Sequence, residues 1–259
     1  ALERALAIRQ AALGSRHIEV ATTLNNLGYL HYIRGAHDEA QLLLEQALAI
    51  REAALGPDHR EVATTLANLG LIRLARGDHE GARDLFKRTF TIRKRALTAG
   101  HPGMGSIYNN LGVLGHALGD YAEAQMMLAK ALAIRKEKFG PKHLDVALSL
   151  HSLAAVRDAQ GANEEALALA REALAIAESV LGPAHPDVAN FLNALALVEF
   201  SRDLDVAQAL AGRALELSSR TKGRQHPVTA ASLYLLGGVH LERGELGEAE
   251  ARFAEALTI

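Results

Sequence analysis

The sequence predicts an all-α chain of stacked antiparallel helix pairs, and three observations carry that prediction. The first is a period. The segments ALAI at Ala5, Ala47, Ala131 and Ala173 lie in one 42-residue register, and ALTI at Ala256 closes the series. The second is a set of loop histidines on the same clock: His17, His59, His101, His143 and His185 are each 42 apart, and His226 follows after 41. The third is apolar spacing within a period, as at Val62, Leu66, Leu69 and Ile72, which is helical. Self-similarity at this period marks units that bury a face only against their neighbours, not one globular core.

Each unit reads as two helices of about four turns joined by short loops. Gly77 and Asp78 break the first helix of the second unit, and Ala82, Leu85, Phe86, Thr89 and Ile92 then form one face of a second helix. Gly-Pro at Gly56, Gly140 and Gly182 ends a helix, and His-Pro at His101, His185 and His226 opens one, because proline is tolerated in a first turn. First helices are expected at 18–34, 60–76, 102–118, 144–160, 186–202 and 227–243, and second helices at 36–54, 78–96, 120–138, 162–180, 204–219 and 245–259. A leading half-unit occupies 1–13, and the repeats span 18–55, 60–97, 102–139, 144–181, 186–220 and 227–259 of a single array over 1–259. A column of small residues, Gly28, Gly70, Gly112, Ala154, Ala196 and Gly237, marks where paired helices cross closely, with Ala40, Ala82, Ala124, Ala166, Ala207 and Ala249 at a second such position.

Composition narrows the function classes. A formal net charge of −2 gives no electrostatic reason to expect nucleic acid or a membrane surface as partner. The chain has no cysteine, hence neither disulfides nor thiol chemistry, which suits a cytoplasmic setting. No apolar run is long enough for a membrane span, and no signal peptide is visible. Both ends fall inside repeat patterns, so the chain reads as a piece of a longer array. Leu2, Leu6, Leu257 and Ile259 are then expected to be exposed, and end-to-end self-association is a possible partner mode.

The repeated residues resemble the tetratricopeptide repeat. The third unit reads Tyr108-x-x-Leu111-Gly112, Gly119, Ala124, Leu128, Ala131, and the sixth Leu233-x-x-Leu236-Gly237, Gly244, Ala249, Phe253, Ala256. The longer period, with ALAIRE…LGPDH…VATTLxNLG from Ala47 to Gly70, is similar to the kinesin light chain type. Departures are Asp203 where glycine is usual, and Gly103 and Gly105 in a first turn, which weaken that helix start. The resemblance implies an α-solenoid, a right-handed superhelix whose first helices line a concave groove. It further implies a non-enzymatic scaffold that binds a protein or peptide there. Similar repeats also stand beside signalling NTPase or caspase-like protease domains, so a regulatory segment contacting its own effector domain is the alternative.

Groove positions follow from the register. They include Asn25, Asn26, Tyr29 and Tyr32 in the first unit, Asn68 and Leu71 in the second, and Asn109, Asn110, Val113 and His116 in the third. His151 stands in the fourth, Asn190, Asn193, Leu197 and Phe200 in the fifth, and Tyr234 in the sixth. No lysine or arginine falls there, unlike tetratricopeptide domains that clamp a terminal carboxylate. Amides give a peptide backbone both donor and acceptor, and tyrosine gives rigid area with a polar tip. Asn26, Asn68 and Asn110 have a second reading, as a structural asparagine bonded within the array. Asn25, Asn109 and Asn193 are read as ligand contacts.

Arg51, Arg93 and Arg135, with Arg9, form a ladder at the ends of second helices. They read either as cations at helix C-termini pairing with Glu61, Asp145 or their neighbours, or as a basic rim for acidic residues flanking a bound peptide. The loop histidines stand too far apart along the array to share a metal and are expected to close the loop beside each helix start. No metal, cofactor or catalytic motif is expected: HExxH, a phosphate-cradling glycine loop, GxSxG and a cysteine nucleophile are all absent from the sequence.

Overall fold

The computed structural model describes residues 1–221 and 226–259, and among these it holds helices and no strand. They are α1 (Leu2–Leu13), α2 (Ile18–Ile33), α3 (His37–Leu55), α4 (Arg60–Ala75), α5 (His79–Ala96), α6 (Pro102–Ala117) and α7 (Tyr121–Phe139). Then follow α8 (Leu144–Ala159), α9 (Asn163–Leu181), α10 (Val188–Phe200), α11 (Leu204–Thr221), α12 (Pro227–Glu242) and α13 (Leu246–Leu257). The chain is an all-α helical repeat array. It divides into two compact units, Ala1–Asp120 with α1 to α6 and Tyr121–Ile259 with α7 to α13.

Helix boundaries follow from local chemistry. Gly56 and Gly182 end their helices at φ +85° and +88°, a conformation that other residues adopt only with strain. Each of the six loop histidines closes the first turn of the next helix with its own ring. Nδ1 of His17, His59, His101, His143, His185 and His226 accepts the backbone N–H two residues on, at 3.0–3.2 Å. The imidazole thus does what serine or aspartate does at an ordinary N-cap, and it requires the ring proton on Nε2. That cap, with Pro102 as first residue, lets α6 start at Pro102 despite Gly103 and Gly105. Asp203 replaces the usual glycine by capping α11 itself, its Oδ1 accepting from the N–H groups of Asp205 and Val206 at 3.0 and 3.1 Å.

The largest departure from the expected starts is at α10, the second helices α3, α5, α7, α9 and α13 each beginning one residue late. α10 begins at Val188, not 186, because Val188, Ala189 and Asn190 donate to the carbonyls of His185, Pro186 and Asp187 in a tight i→i+3 turn. At the chain ends, only Leu257 of the four residues expected to be exposed is so, at 87%. Leu2 and Ile259 are half-buried, and Leu6 packs on Val20, Ala21, Leu24 and Ala47.

The core of each unit is assembled pairwise from the crossing points. A Cβ added to Gly28 would lie 2.7 Å from Leu44 Cγ, one on Gly70 2.4 Å from Phe86 Cε1, and one on Gly237 2.7 Å from Phe253 Cε1. Where the column carries alanine, the facing residue shrinks in compensation. Ala154 packs in one cluster with Ala170, and Ala196 in another with Ala211. Glycine against leucine or phenylalanine and alanine against alanine fill similar space at interior density.

The arginine ladder joins each second helix to the start of the next pair. Arg9, Arg51, Arg93 and Arg135 donate from Nη1 to the carbonyls of Glu19, Glu61, Gly103 and Asp145 at 2.8–3.2 Å. Three of them also donate at 2.7 Å to a hydroxyl one turn on, at Thr23, Thr65 and Ser149, whereas Ile107 stands at that place beneath Arg93. The ladder stops at α9. Ala177 stands where arginine would, Phe191 where the hydroxyl would, and both are buried in one apolar cluster.

Candidate ligand groove

Within the second unit the first helices α8, α10 and α12 lie side by side, and with α13 they enclose an open hollow of about 920 Å³. α8 contributes His151, Ala154, Ala155 and Asp158. α10 contributes Asn190, Asn193, Ala194, Leu197 and Val198. α12 brings Ala230, Ala231, Tyr234 and Leu235, and α13 brings Phe253, Ala256 and Leu257. Alanines make the floor, so the hollow is deep. Leu197 at 54% and Tyr234 at 66% exposure stand as its walls. Such a volume with an apolar lining and a few polar groups is the usual character of a binding cleft. Among the described residues no lysine or arginine lines it.

Among the residues expected from sequence, His151, Asn190, Asn193, Leu197 and Tyr234 come together here. Phe200 lies off the hollow, with its ring 3.1 Å from the point where a Cβ on Gly238 would sit. Asn193 is buried and held within the array: its Nδ2 donates to the Val228 carbonyl at 3.3 Å, and its Oδ1 accepts from Ser232 Oγ at 2.9 Å. His151 is different. Its Nδ1 is sealed from solvent with no hydrogen-bond partner among the described residues, and its ring stands edge-on to Phe191 at 5.7 Å. Burial pushes the His151 pKa below the ordinary histidine value. Val198, Ala230 and the α13 residues escaped the register argument, which counts α13 only as a second helix.

The first unit presents another surface. Asn25 is buried, and its Oδ1 accepts from Asn68 Nδ2 at 3.3 Å, tying α2 to α4. Asn26 and Tyr29 are exposed, while Tyr32, Leu71, Asn109, Asn110, Val113 and His116 are half-buried. Tyr32 lies 6.1 Å from Tyr29 and stacks on His37 at 5.8 Å, and burial, then Tyr29, raises its pKa. Arg51 and Arg135 are buried and Arg93 half-buried, all bonded into the helix joints, which is the geometry of structural cations and not of an open rim. Desolvation lowers all three guanidinium pKa values, offset in part by Glu61 at Arg51 and Asp145 at Arg135. Among the described residues no group of three metal-ligating side chains gathers, and no helix is long and apolar enough to cross a membrane.

Comparison with known proteins agrees with this architecture. Family models of the tetratricopeptide repeat match residues 43–95, 103–179 and 187–259, and a second such model matches 20–61. No curated protein sequence matches. Among solved structures, the chain is similar to the apo form of RapI, with 17% identity, a TM-score of 0.72, and 98% of this chain and 89% of that one covered. It is similar to BtubC (BKLC) from P. vanneervenii at 22% identity and TM-score 0.62, covering 88% of this chain and 90% of that one. A putative kinesin light chain repeat protein of Podosopora anserina aligns at 25% identity and TM-score 0.57 over 80% of this chain and 98% of that one. The repeat period, the helix pairs and the matched models together show that the chain belongs to the tetratricopeptide repeat family, with a likeness to kinesin light chain-like repeats.

Proposed function

We propose that the chain is a non-catalytic interaction scaffold that receives an apolar segment of a partner protein in the groove of its second unit. The hollow formed by α8, α10, α12 and α13 carries this reading. Its walls keep Leu197 and Tyr234 in solvent, and a partner seated there would bury both. Among the described residues the lining lacks the cations that would hold an acidic terminus, so recognition rests on shape and apolar area. A cysteine-free chain fits a partner met in a reducing compartment such as the cytoplasm.

A peptide-display selection on the chain, run in parallel on Leu197→Glu, tests the proposal. Leu197 is mostly exposed, so the charge leaves the core intact while placing a carboxylate in the groove. Peptides rich in aliphatic residues should be enriched on the parent and lost on the variant. Equal enrichment on both, or none on the parent, rejects the groove as the site.

A further inference from the structure

We infer that His151 is the polar anchor of this groove, and that the ligand is an extended, uncharged segment whose main-chain carbonyl accepts a hydrogen bond from the His151 ring while its aliphatic side chains fill the alanine-floored hollow. The inference rests on the groove being a binding site and adds the chemistry of the occupant. Nδ1 of His151 is sealed without a partner, while the ring itself lines the hollow, so the Nε2 edge faces the ligand space. Buried N–H groups without partners are rarer than buried acceptors without them, which assigns the ring proton to Nε2. Desolvation favours the neutral ring, and none of the described residues supplies an acceptor for its Nε2–H.

The same register position elsewhere shows how unusual this is. Asn193 bonds through both ends of its amide, to Val228 and Ser232, and Asn25 Oδ1 accepts from Asn68, so each of these side chains is held inside the array. His151 differs from both: its buried Nδ1 takes no hydrogen bond from the described residues. Among the described residues the lining includes the Asp158 carboxylate and no cation, which disfavours an anionic acceptor and selects a neutral one. Every residue of a polypeptide carries such an acceptor, but in a regular helix it is already bonded within the helix. An extended chain leaves carbonyls open and alternates its side chains, so one can point at His151 while neighbouring side chains enter the hollow.

The test uses a dye-labelled peptide recovered from the selection above, titrated by fluorescence anisotropy onto the parent chain, His151→Leu and His151→Gln. Leucine should weaken binding by about tenfold or more although it makes the groove more apolar, and glutamine, whose amide nitrogen reaches the Nε2 place, should stay within about threefold of the parent. The leucine variant should melt no lower than the parent, because it removes an orphaned polar atom, so a fall in affinity is not a folding effect. Unchanged or tighter binding by His151→Leu overturns the anchor while leaving the groove standing. Glutamine as weak as leucine overturns the donor role. If the selection yields no peptide sensitive to Leu197→Glu, the groove reading fails and the anchor fails with it.

Discussion

Replacing Gly70 with alanine should destabilise the chain, and the same change at Gly212 should stabilise it. At Gly70 the new methyl would sit 2.4, 2.7 and 3.0 Å from Cε1, Cδ1 and Cζ of Phe86, a ring with 0% exposure. Ordinary carbon contacts begin near 3.5 Å, so the ring must retreat by roughly 1 Å into a packed interior. Three contacts of this kind on a buried ring place the strain at the upper end of the usual overpacking range, about 3 kcal/mol. Alanine returns about 1 kcal/mol of helix propensity, leaving a net loss of about 2 kcal/mol. Gly212 lies inside α11 with no atom within 4 Å of the added methyl, so only the propensity gain remains, up to about 1 kcal/mol. Urea denaturation followed by circular dichroism reads the global effect. Because repeat arrays need not unfold in one step, hydrogen exchange in α4 and α5 reads the local one. A Gly70→Ala midpoint at or above that of the parent would refute the close crossing of α4 on α5.

The remaining predictions concern the joints and the buried histidine. Arg135→Ala should cost about 2–3 kcal/mol, since it strips charge-assisted bonds from the Asp145 carbonyl and Ser149. Adding Ser149→Phe reproduces the Ala177–Phe191 pair of the next register and should recover at least half of that loss; a double variant no more stable than the single one denies that the two joints are interchangeable. Burial places the folded-state pKa of His151 below the ordinary 6.5 of the unfolded chain, so its contribution is whole above that pH. As pH falls below about 6.5 the unfolded chain takes up the proton first, and stability declines until the folded ring protonates too. The melting midpoint of the parent should therefore fall more steeply with acid than that of His151→Leu, and parallel curves would show that His151 is not held neutral.

The sequence made the helix pairs legible because each carries its own punctuation. Gly56 and Gly182 stop helices, histidines start them, and the small-residue column sets the crossing. The start of α10 differed because Pro186 and Asp187 form a tight turn that the shared His-Pro signal does not distinguish from Pro102 at the head of α6. Volume compensation was hidden for a different reason. Ala154 and Ala196 look like ordinary members of a small column until Ala170 and Ala211 are seen across from them. The same limit applies to the groove. Register alone brought His151, Leu197 and Tyr234 to one surface, yet the partners that bury Asn193, Val228 and Ser232, lie a whole repeat further along. Pattern within one helix reports which way a residue faces, not whether its polar atoms are already engaged.

The end of the arginine ladder at α9 changes how one joint is held where its second helix meets the next helix start. There the guanidinium-on-carbonyl bond gives way to apolar contact between Ala177 and Phe191, while Arg171 Nη2 still donates to Glu199 Oε1 at 2.8 Å elsewhere along the same α9–α10 joint. Apolar association carries a large heat-capacity change and weakens on cooling. The Ala177–Phe191 end of the α9–α10 joint should therefore loosen in the cold more than the arginine-bonded ends of the other joints. It lies beside the proposed groove, since α10 supplies Asn190 and Leu197, so temperature as well as sequence should set the compliance of that groove.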